Sequence, residues 1–313
     1  MTVLVTGGRG LVGSHVIEAL RGAGVPVQAF VGDVTDPAAW RRATAGMRGI
    51  VHAAARVAQR APFAEFERVN VGGTRLAIEA ARAAGARLVH VSSVAVYGRT
   101  AAYAAGRASV AEDFPLQPIP EHDFYARTKR MAEELVRDEA GRGGLSAAAI
   151  RPNVIYGERD RVFTPRVIRA VRMGVVPRVG PGTNHLSCVY AGNVASAIVA
   201  ALDADVPGFR AYNVTEDAPP ELTEREYIAA FADALGVRLR RIPIPVDAAR
   251  LGVKLWTSWL RWRWPERYAG LGGAGAVGFL IGENPYVAAR AQQELGWKPP
   301  FDARAAIRRT VGV

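Results

Sequence analysis

Two serines, a tyrosine and a lysine carry the clearest chemistry in this chain. Leu88-Val89-His90-Val91-Ser92-Ser93 reads as a buried strand ending in two hydroxyls, and Tyr125-Ala126-Arg127-Thr128-Lys129 opens a helix. A spacing of four puts Tyr125 and Lys129 on one helical face. A lysine ammonium beside a phenol favours the phenolate and lowers the tyrosine pKa toward neutral pH. Tyr125 could then give a proton to, or take one from, a substrate oxygen that Ser93 also hydrogen-bonds. Y-x-x-x-K arises by chance on many helices. Only three of the 40 basic residues are lysine, however, and one of them falls here. Arginine, a planar fork of donors, suits the role less well.

The elements that must position these groups are legible in outline. Short β-branched runs at 3–6, 27–31, 50–53, 88–92 and 148–151 alternate with Ala-rich helical stretches at 12–23, 66–84 and 125–139. Such alternation predicts a parallel sheet with helices on both faces. The first strand feeds into Thr6-Gly7-Gly8-Arg9-Gly10-Leu11-Val12-Gly13 and then a helix. Gly7 permits a tight turn, Gly10 lets backbone approach a pyrophosphate, and Gly13 lets helix and strand pack closely. The helix N-terminus would face the phosphates with free N–H groups. After Arg151-Pro152 prolines and glycines become frequent, which predicts a smaller lid over the sheet's C-terminal edge.

Bulk composition bounds the function. Half of the 313 residues are hydrophobic, enough for a sizeable core, and no stretch approaches the roughly 18 apolar residues of a membrane span. Met1 leads directly into a strand, so no secretory leader is expected. The single cysteine, Cys188, excludes an internal disulfide and fits a reducing cytosol, and five scattered histidines predict no metal site. The net charge of +11 comes almost wholly from arginines spread along the chain. Without a basic face interleaved with stacking aromatics, that charge predicts solubility and affinity for anionic ligands rather than nucleic-acid binding.

The order of glycine loop, Ser-Ser at a strand end and Tyr-x-x-x-Lys on a helix is more specific than any one of them. With it, the chain closely resembles the extended short-chain dehydrogenases/reductases. That branch includes nucleotide-sugar epimerases and dehydratases, 3β-hydroxysteroid dehydrogenases and dihydroflavonol-type reductases. The resemblance runs through TGGRGLVG at 6–13, GDVTDP at 32–37, VHAAA at 51–55 and NVGGT at 70–74. It continues through SSVAVYG at 92–98, EDFPLQP at 112–118, YARTK at 125–129, RPNVIYG at 151–157 and ELGWKP at 294–299.

The resemblance implies an α/β fold, a Rossmann-type doubly wound parallel sheet with a smaller C-terminal substrate-binding lid. Residues 1–155 would bind NAD(P), with a later strand and helix near 186–215 returning to them, while 156–185 and 216–313 would form the lid. Ser93 would be the catalytic serine, Tyr125 the general acid/base, and Lys129 would activate Tyr125 and hold the nicotinamide ribose. Gly7, Gly10 and Gly13, with backbone at Leu11 and Val12, would hold the pyrophosphate. Asp33 and Val34 would border the adenine, Ala53, Ala54 and Ala55 the adjoining ribose, Asn70 would sit near the cofactor and Pro152 near the nicotinamide. His52 would be structural.

Against that family, one stretch is short. In VPVQAFVGDVTDP the strand ending at Val31 runs straight into Gly32-Asp33, and about 25 residues of the next helix and strand, out of a usual ~30-residue unit, are absent. The sheet should therefore be shortened at one edge. Val31 is apolar where NAD-dependent members usually carry an acid. Arg9 could reach a 2′-phosphate, so NADP(H) is favoured over NAD(H).

The lid should set substrate choice. Leu186-Ser187 stands where sugar-nucleotide enzymes typically show Arg-Asp, which points to a hydrophobic or aromatic ketone, or the matching alcohol, as the small-molecule substrate. Trp256, Trp259 and Trp262, followed by Trp264, are expected to form an aromatic core for the lid, with a substrate cleft or a membrane surface as alternatives. Two other functions stay open: a nucleotide-sugar epimerase or dehydratase with tightly held NAD, and a non-catalytic NAD(P)-binding scaffold or sensor. Helices 66–84 and 125–139 would allow a homodimer.

Overall fold

The run Thr2-Val-Leu-Val-Thr6 is apolar on both faces, as a strand covered by helices on either side must be, and it forms β1 (Thr2–Thr6). A computed structural model describes residues 2–57, 61–98, 109–263 and 273–313. In it β1 pairs with β2 (Val27–Ala29) on one side and β3 (Met47–His52) on the other. β4 (Arg87–Val91) and β5 (Ala147–Pro152) follow, and a late strand, Phe209–Val214, closes the far edge. All neighbours run parallel, in a six-stranded Rossmann-type sheet.

The shortened edge is visible. β2 is only three residues long, and among the described residues no strand lies outside it. After α1 (Leu11–Gly22) and β2, the chain turns into a helix absent from the sequence reading, α2 (Pro37–Ala43). Asp36 caps it by accepting from the Ala38 N–H at 2.8 Å, and Pro37 supplies the preset φ of a first helical turn. Trp40 plugs this helix into the sheet, buried and donating its indole N–H to the Val34 carbonyl at 2.8 Å.

The helix expected over 66–84 is built in three parts. α3 (Phe63–Glu67) passes through one π turn at Arg68–Gly72 into α4 (Gly73–Ala84). α5 (Phe124–Gly141) begins at an Asp123 cap, which accepts from the Ala126 N–H at 3.1 Å. Two apolar layers flank the sheet. Val16, Leu20, Val194 and Ile198 pack on one face, and Trp40, Ile78, Ala81, Val136 and Ala140 on the other.

The later elements are β6 (Val154–Tyr156), α6 (Thr164–Arg172), β7 (Val175–Val179), β8 (Cys188–Tyr190), α7 (Ala191–Asp203), α8 (Glu224–Ala234), β10 (Arg240–Ile244), α9 (Val246–Arg263) and a last helix, Ala303–Val311; β9 is the edge strand at 209–214. Their core gathers Tyr156, Val171, Tyr227, Phe231 and Ile307. Among the described residues, no helix is long and apolar enough to cross a membrane, and no three His, Cys, Asp or Glu side chains are grouped so as to hold a metal ion.

Candidate active site

The loop after β1 admits only glycine at two places. Gly7 has a φ of +68°, and a Cβ there would lie 2.9 Å from the Ala54 amide nitrogen. A Cβ on Gly13 would lie 2.3 Å from the Gly7 carbonyl oxygen. Gly10 donates its N–H to that same carbonyl at 2.8 Å, which closes the turn. α1 then starts at Leu11 and Val12 with no side-chain cap and no acid in its first turn. The first N–H groups of a helix have no intrahelical partner, so this end is built to receive an anion. The cradle fits a dinucleotide pyrophosphate.

A cavity of about 350 Å³ opens over this loop. Gly7, Arg9 and Gly10 line it from one side and Ala53, Ala54 and Ala55 from the other. Arg56 and Val69 line it too, and neither was singled out from the sequence. No spacing rule marks Arg56; it follows the VHAAA run and shows itself only once the strand end is folded over the loop. Its guanidinium also pairs with Glu65 at 2.7 Å. Asp33 and Val34 do not line the cavity. Asp33 accepts from the Thr35 N–H and hydroxyl, both at 2.9 Å, and these bonds hold its pKa below the ordinary value. Arg68 donates to the Thr35 hydroxyl at 2.6 Å. Val34 packs against Gly73 of α4.

Asn70 sits in the π turn, a feature common at functional sites. Its side chain is fully engaged: it accepts from the Arg56 N–H at 2.7 Å and donates to the Arg56 carbonyl at 3.2 Å and the Thr128 hydroxyl at 3.0 Å. It thereby ties the cavity wall to α5. Pro152 is buried at the end of β5.

The two serines after β4 part company. Ser92 turns inward and donates to Glu133 at 2.5 Å, while Ser93 caps the short 3₁₀ turn at Val94–Tyr97, accepting from the Ala95 N–H at 3.2 Å. Tyr125 is the second residue of α5 and partly exposed. Burial of its hydroxyl raises its pKa, with the Ser93 hydroxyl pulling it back down. This corrects the expectation of a phenol acidified by lysine. The Lys129 ammonium is drawn instead to the Val91 carbonyl, 2.5 Å away. Lys129 is itself 3% exposed, and desolvation lowers its pKa to about 8 against the opposing pull of Glu133.

Behind this group lies a buried polar network. Arg151 pairs with Glu133 at 2.5 Å and donates to the Tyr97 hydroxyl at 2.8 Å, which in turn donates to Asn213 at 2.8 Å. Glu133 stands four residues past Lys129, so a second step of the Tyr-to-Lys spacing was the available signal for it. His52 is a buried strand-end residue, 3.0 Å from the Thr6 hydroxyl, with a pKa lowered by burial to about 3. His90 stacks beneath it, and neither of its ring nitrogens has a hydrogen-bond partner.

Just before β8, Leu186 and Ser187 are both buried, and the neighbouring His185 imidazole lies 2.6 Å from Glu283. The tryptophans do not form the expected core. Trp256, Trp259 and Trp262 are exposed on α9, because that helix packs through its other side; Trp264 lies outside the described residues.

Residues 3–215 match the model of the NAD dependent epimerase/dehydratase family. The chain is 33% identical over 283 residues to a 4-hydroxy-2-methyl-3-oxo-4-farnesyl-3,4-dihydroquinoline-1-oxide ketoreductase of Stigmatella aurantiaca, covering 82% of this chain and 81% of that protein. It is 29% identical over 266 residues to an N-acetyl-alpha-D-glucosaminyl-diphospho-ditrans,octacis-undecaprenol 4-epimerase of Escherichia coli O157:H7, covering 80% and 77%. The fold is similar to that of a UDP-glucose 4-epimerase from Thermotoga maritima, with a TM-score of 0.74 at 18% identity, over 100% and 98% of the two chains.

Proposed function

Because the chain belongs to the NAD-dependent epimerase/dehydratase family of extended short-chain dehydrogenases/reductases, and is an oxidoreductase of that type, we propose that it is an NAD(P)H-dependent ketoreductase acting on a lipophilic small molecule. What supports this reading most directly is the Ser93 hydroxyl acting on the Tyr125 phenol, one turn of α5 before the buried Lys129, in a chain whose glycine cradle is shaped for a dinucleotide. The sheet portion would hold the cofactor and the lid the substrate.

When bound, the nicotinamide supplies the hydride that reduces the carbonyl carbon, or accepts it in the reverse direction. Tyr125 gives its proton to the substrate oxygen, and Ser93 donates a hydrogen bond to that oxygen as negative charge builds on it. Lys129 stands one helical turn beyond Tyr125 on the same face of α5, and with a pKa near 8 it can exchange a proton close to neutral pH. Gly7, Gly10, Leu11, Val12 and Gly13 hold the pyrophosphate, and Asn70 holds the cavity wall in register. Arg56 is paired with Glu65, but Arg9 lines the cavity with no acid at Val31 opposing it, which supports NADP(H) over NAD(H).

Leu186 and Ser187 support the lipophilic ketone, since they offer no charge to a sugar-nucleotide. The Stigmatella relative, named for a farnesyl-bearing oxo substrate, agrees with this choice. An epimerase reading draws support from the Escherichia coli relative's name. Outer faces of α4 and α5 would serve a homodimer.

The test is calorimetric titration of the purified protein with NADPH and NADH, followed by NADPH oxidation with prenylated or long-chain oxo compounds. Micromolar binding with ketone-dependent oxidation is expected. Tightly co-purifying NAD with interconversion of a sugar-nucleotide would put the epimerase in its place, and no binding of either cofactor would leave a scaffold.

A further inference from the structure

α9 leaves an apolar stripe facing outward. Leu251, Leu255, Trp259 and Trp262 follow one another at steps of four, four and three, so they share one side of the helix. Trp256 joins them by stacking on Trp259, with ring centroids 5.1 Å apart. All five are exposed, Trp256 to 58% and Trp262 to 78%. The half-buried Val246, Ala249, Val253 and Thr257 lie on the opposite side, at steps of three and four. α9 packs on the helix Gly273–Ile281, and the half-buried residues mark its inward side. The outward stripe is therefore neither lid core nor the wall of an enclosed cleft.

We infer that α9 is an interfacial helix that lays this stripe into the surface of an anionic phospholipid bilayer. Charge complementarity selects this occupant. Lys254 and Arg263 are exposed on the same helix, Arg250 lies 3.8 Å from its one exposed carboxylate, Asp247, and the whole chain carries +11. Basic residues beside an exposed Trp/Leu stripe are the pattern of helices that lie in the headgroup region, where indole rings are favoured. A basic surface is also drawn to an anionic leaflet, each Lys or Arg near it adding to the attraction. A protein partner of ordinary composition would supply no reason for the indoles and the cations to occur together. The inference does not depend on the ketoreductase reading.

Co-sedimentation of the full chain with phosphatidylcholine vesicles containing about one third phosphatidylglycerol tests it. The chain should pellet with these vesicles, and its tryptophan emission should shift to the blue and be quenched by brominated acyl chains. Trp256→Ser/Trp262→Ser should weaken binding about tenfold or more while leaving the circular dichroism unchanged. Arg250→Glu/Lys254→Glu should weaken binding to anionic vesicles and abolish its salt dependence. A chain that stays in the supernatant overturns the inference, as does equal binding by the tryptophan variant. A dimer that dissociates in that variant, seen by sedimentation without lipid binding, would assign the stripe to a second copy and overturn it as well.

Discussion

Arg151 on β5 and Glu133 on α5 form a buried ion pair, Nη2 to Oε1 at 2.5 Å. Glu133 also accepts the Ser92 hydroxyl, so one carboxylate joins three parts of the site: the end of β4, the helix that carries Tyr125 and Lys129, and β5. Burying two charges is costly, and the cost is offset only while both partners remain.

Removing one partner should therefore be expensive. Glu133→Leu leaves the Arg151 guanidinium buried without its counter-charge and should destabilise the fold by about 3–5 kcal/mol. Urea unfolding monitored by circular dichroism would read the loss. Glu133→Gln keeps the Ser92 contact and should cost less.

Tyr125→Phe removes the proposed proton donor and little else. Turnover should fall by about 10²–10⁴-fold. Affinity for NADPH, measured by titration, should stay within about twofold, because the cradle for the pyrophosphate lies on another loop.

Gly13→Ala places a methyl against the Gly7 carbonyl, 2.3 Å from its oxygen. The backbone must move, at about 1–3 kcal/mol, and the cradle with it. Cofactor titration should show roughly a tenfold or greater loss of affinity, since each 1.4 kcal/mol is tenfold.

Lys129 carries a pH signature. Its folded pKa, about 8, lies below the ordinary 10.5, so between these values the unfolded chain binds more protons than the folded one. Stability contributed by this residue must then rise with pH from about 8 to 10.5. A melting series over that window should show wild type gaining on Lys129→Met as pH increases.

His90 predicts the acid side. Burial holds its pKa well below 6.5, and neither ring nitrogen has a partner, so acid must protonate it on unfolding. Wild type should lose stability as pH falls through 6.5. His90→Leu should be more stable by about 1–2 kcal/mol at neutral pH, from relief of the unmatched polar atoms, and should show a flatter acid limb in chemical denaturation.

The sheet and its glycine loop were legible because a parallel, doubly covered strand must be apolar throughout and a phosphate turn must have glycine where no Cβ fits. α2 was not, because seven residues are too few for a helical period, although Asp36 and Pro37 mark its start. Arg56 escaped notice because its place in the cavity arises only when β3 and the loop after β1 fold together. The tryptophans on α9 were read inward for a related reason. A three-and-four spacing defines a stripe but not which side of the helix finds a partner, and here Val246, Ala249, Val253 and Thr257 found it. The charge state of Tyr125 depends on where the Lys129 side chain lies, which spacing alone does not fix.

The short β2 edge bears on how long a cofactor stays. Among the described residues no strand lies beyond it, and Val31 is 83% exposed where a wall would stand, so the adenosine half would be gripped along one flank only. An enzyme that returns its nicotinamide to the starting state within every cycle gains from a long residence time. One that spends a reduced nicotinamide on each product molecule must release it every time. A chain trimmed on this side would suit the proposed reductase, for which nicotinamide is a second substrate and the direction of reaction follows the ratio of reduced to oxidised cofactor around it.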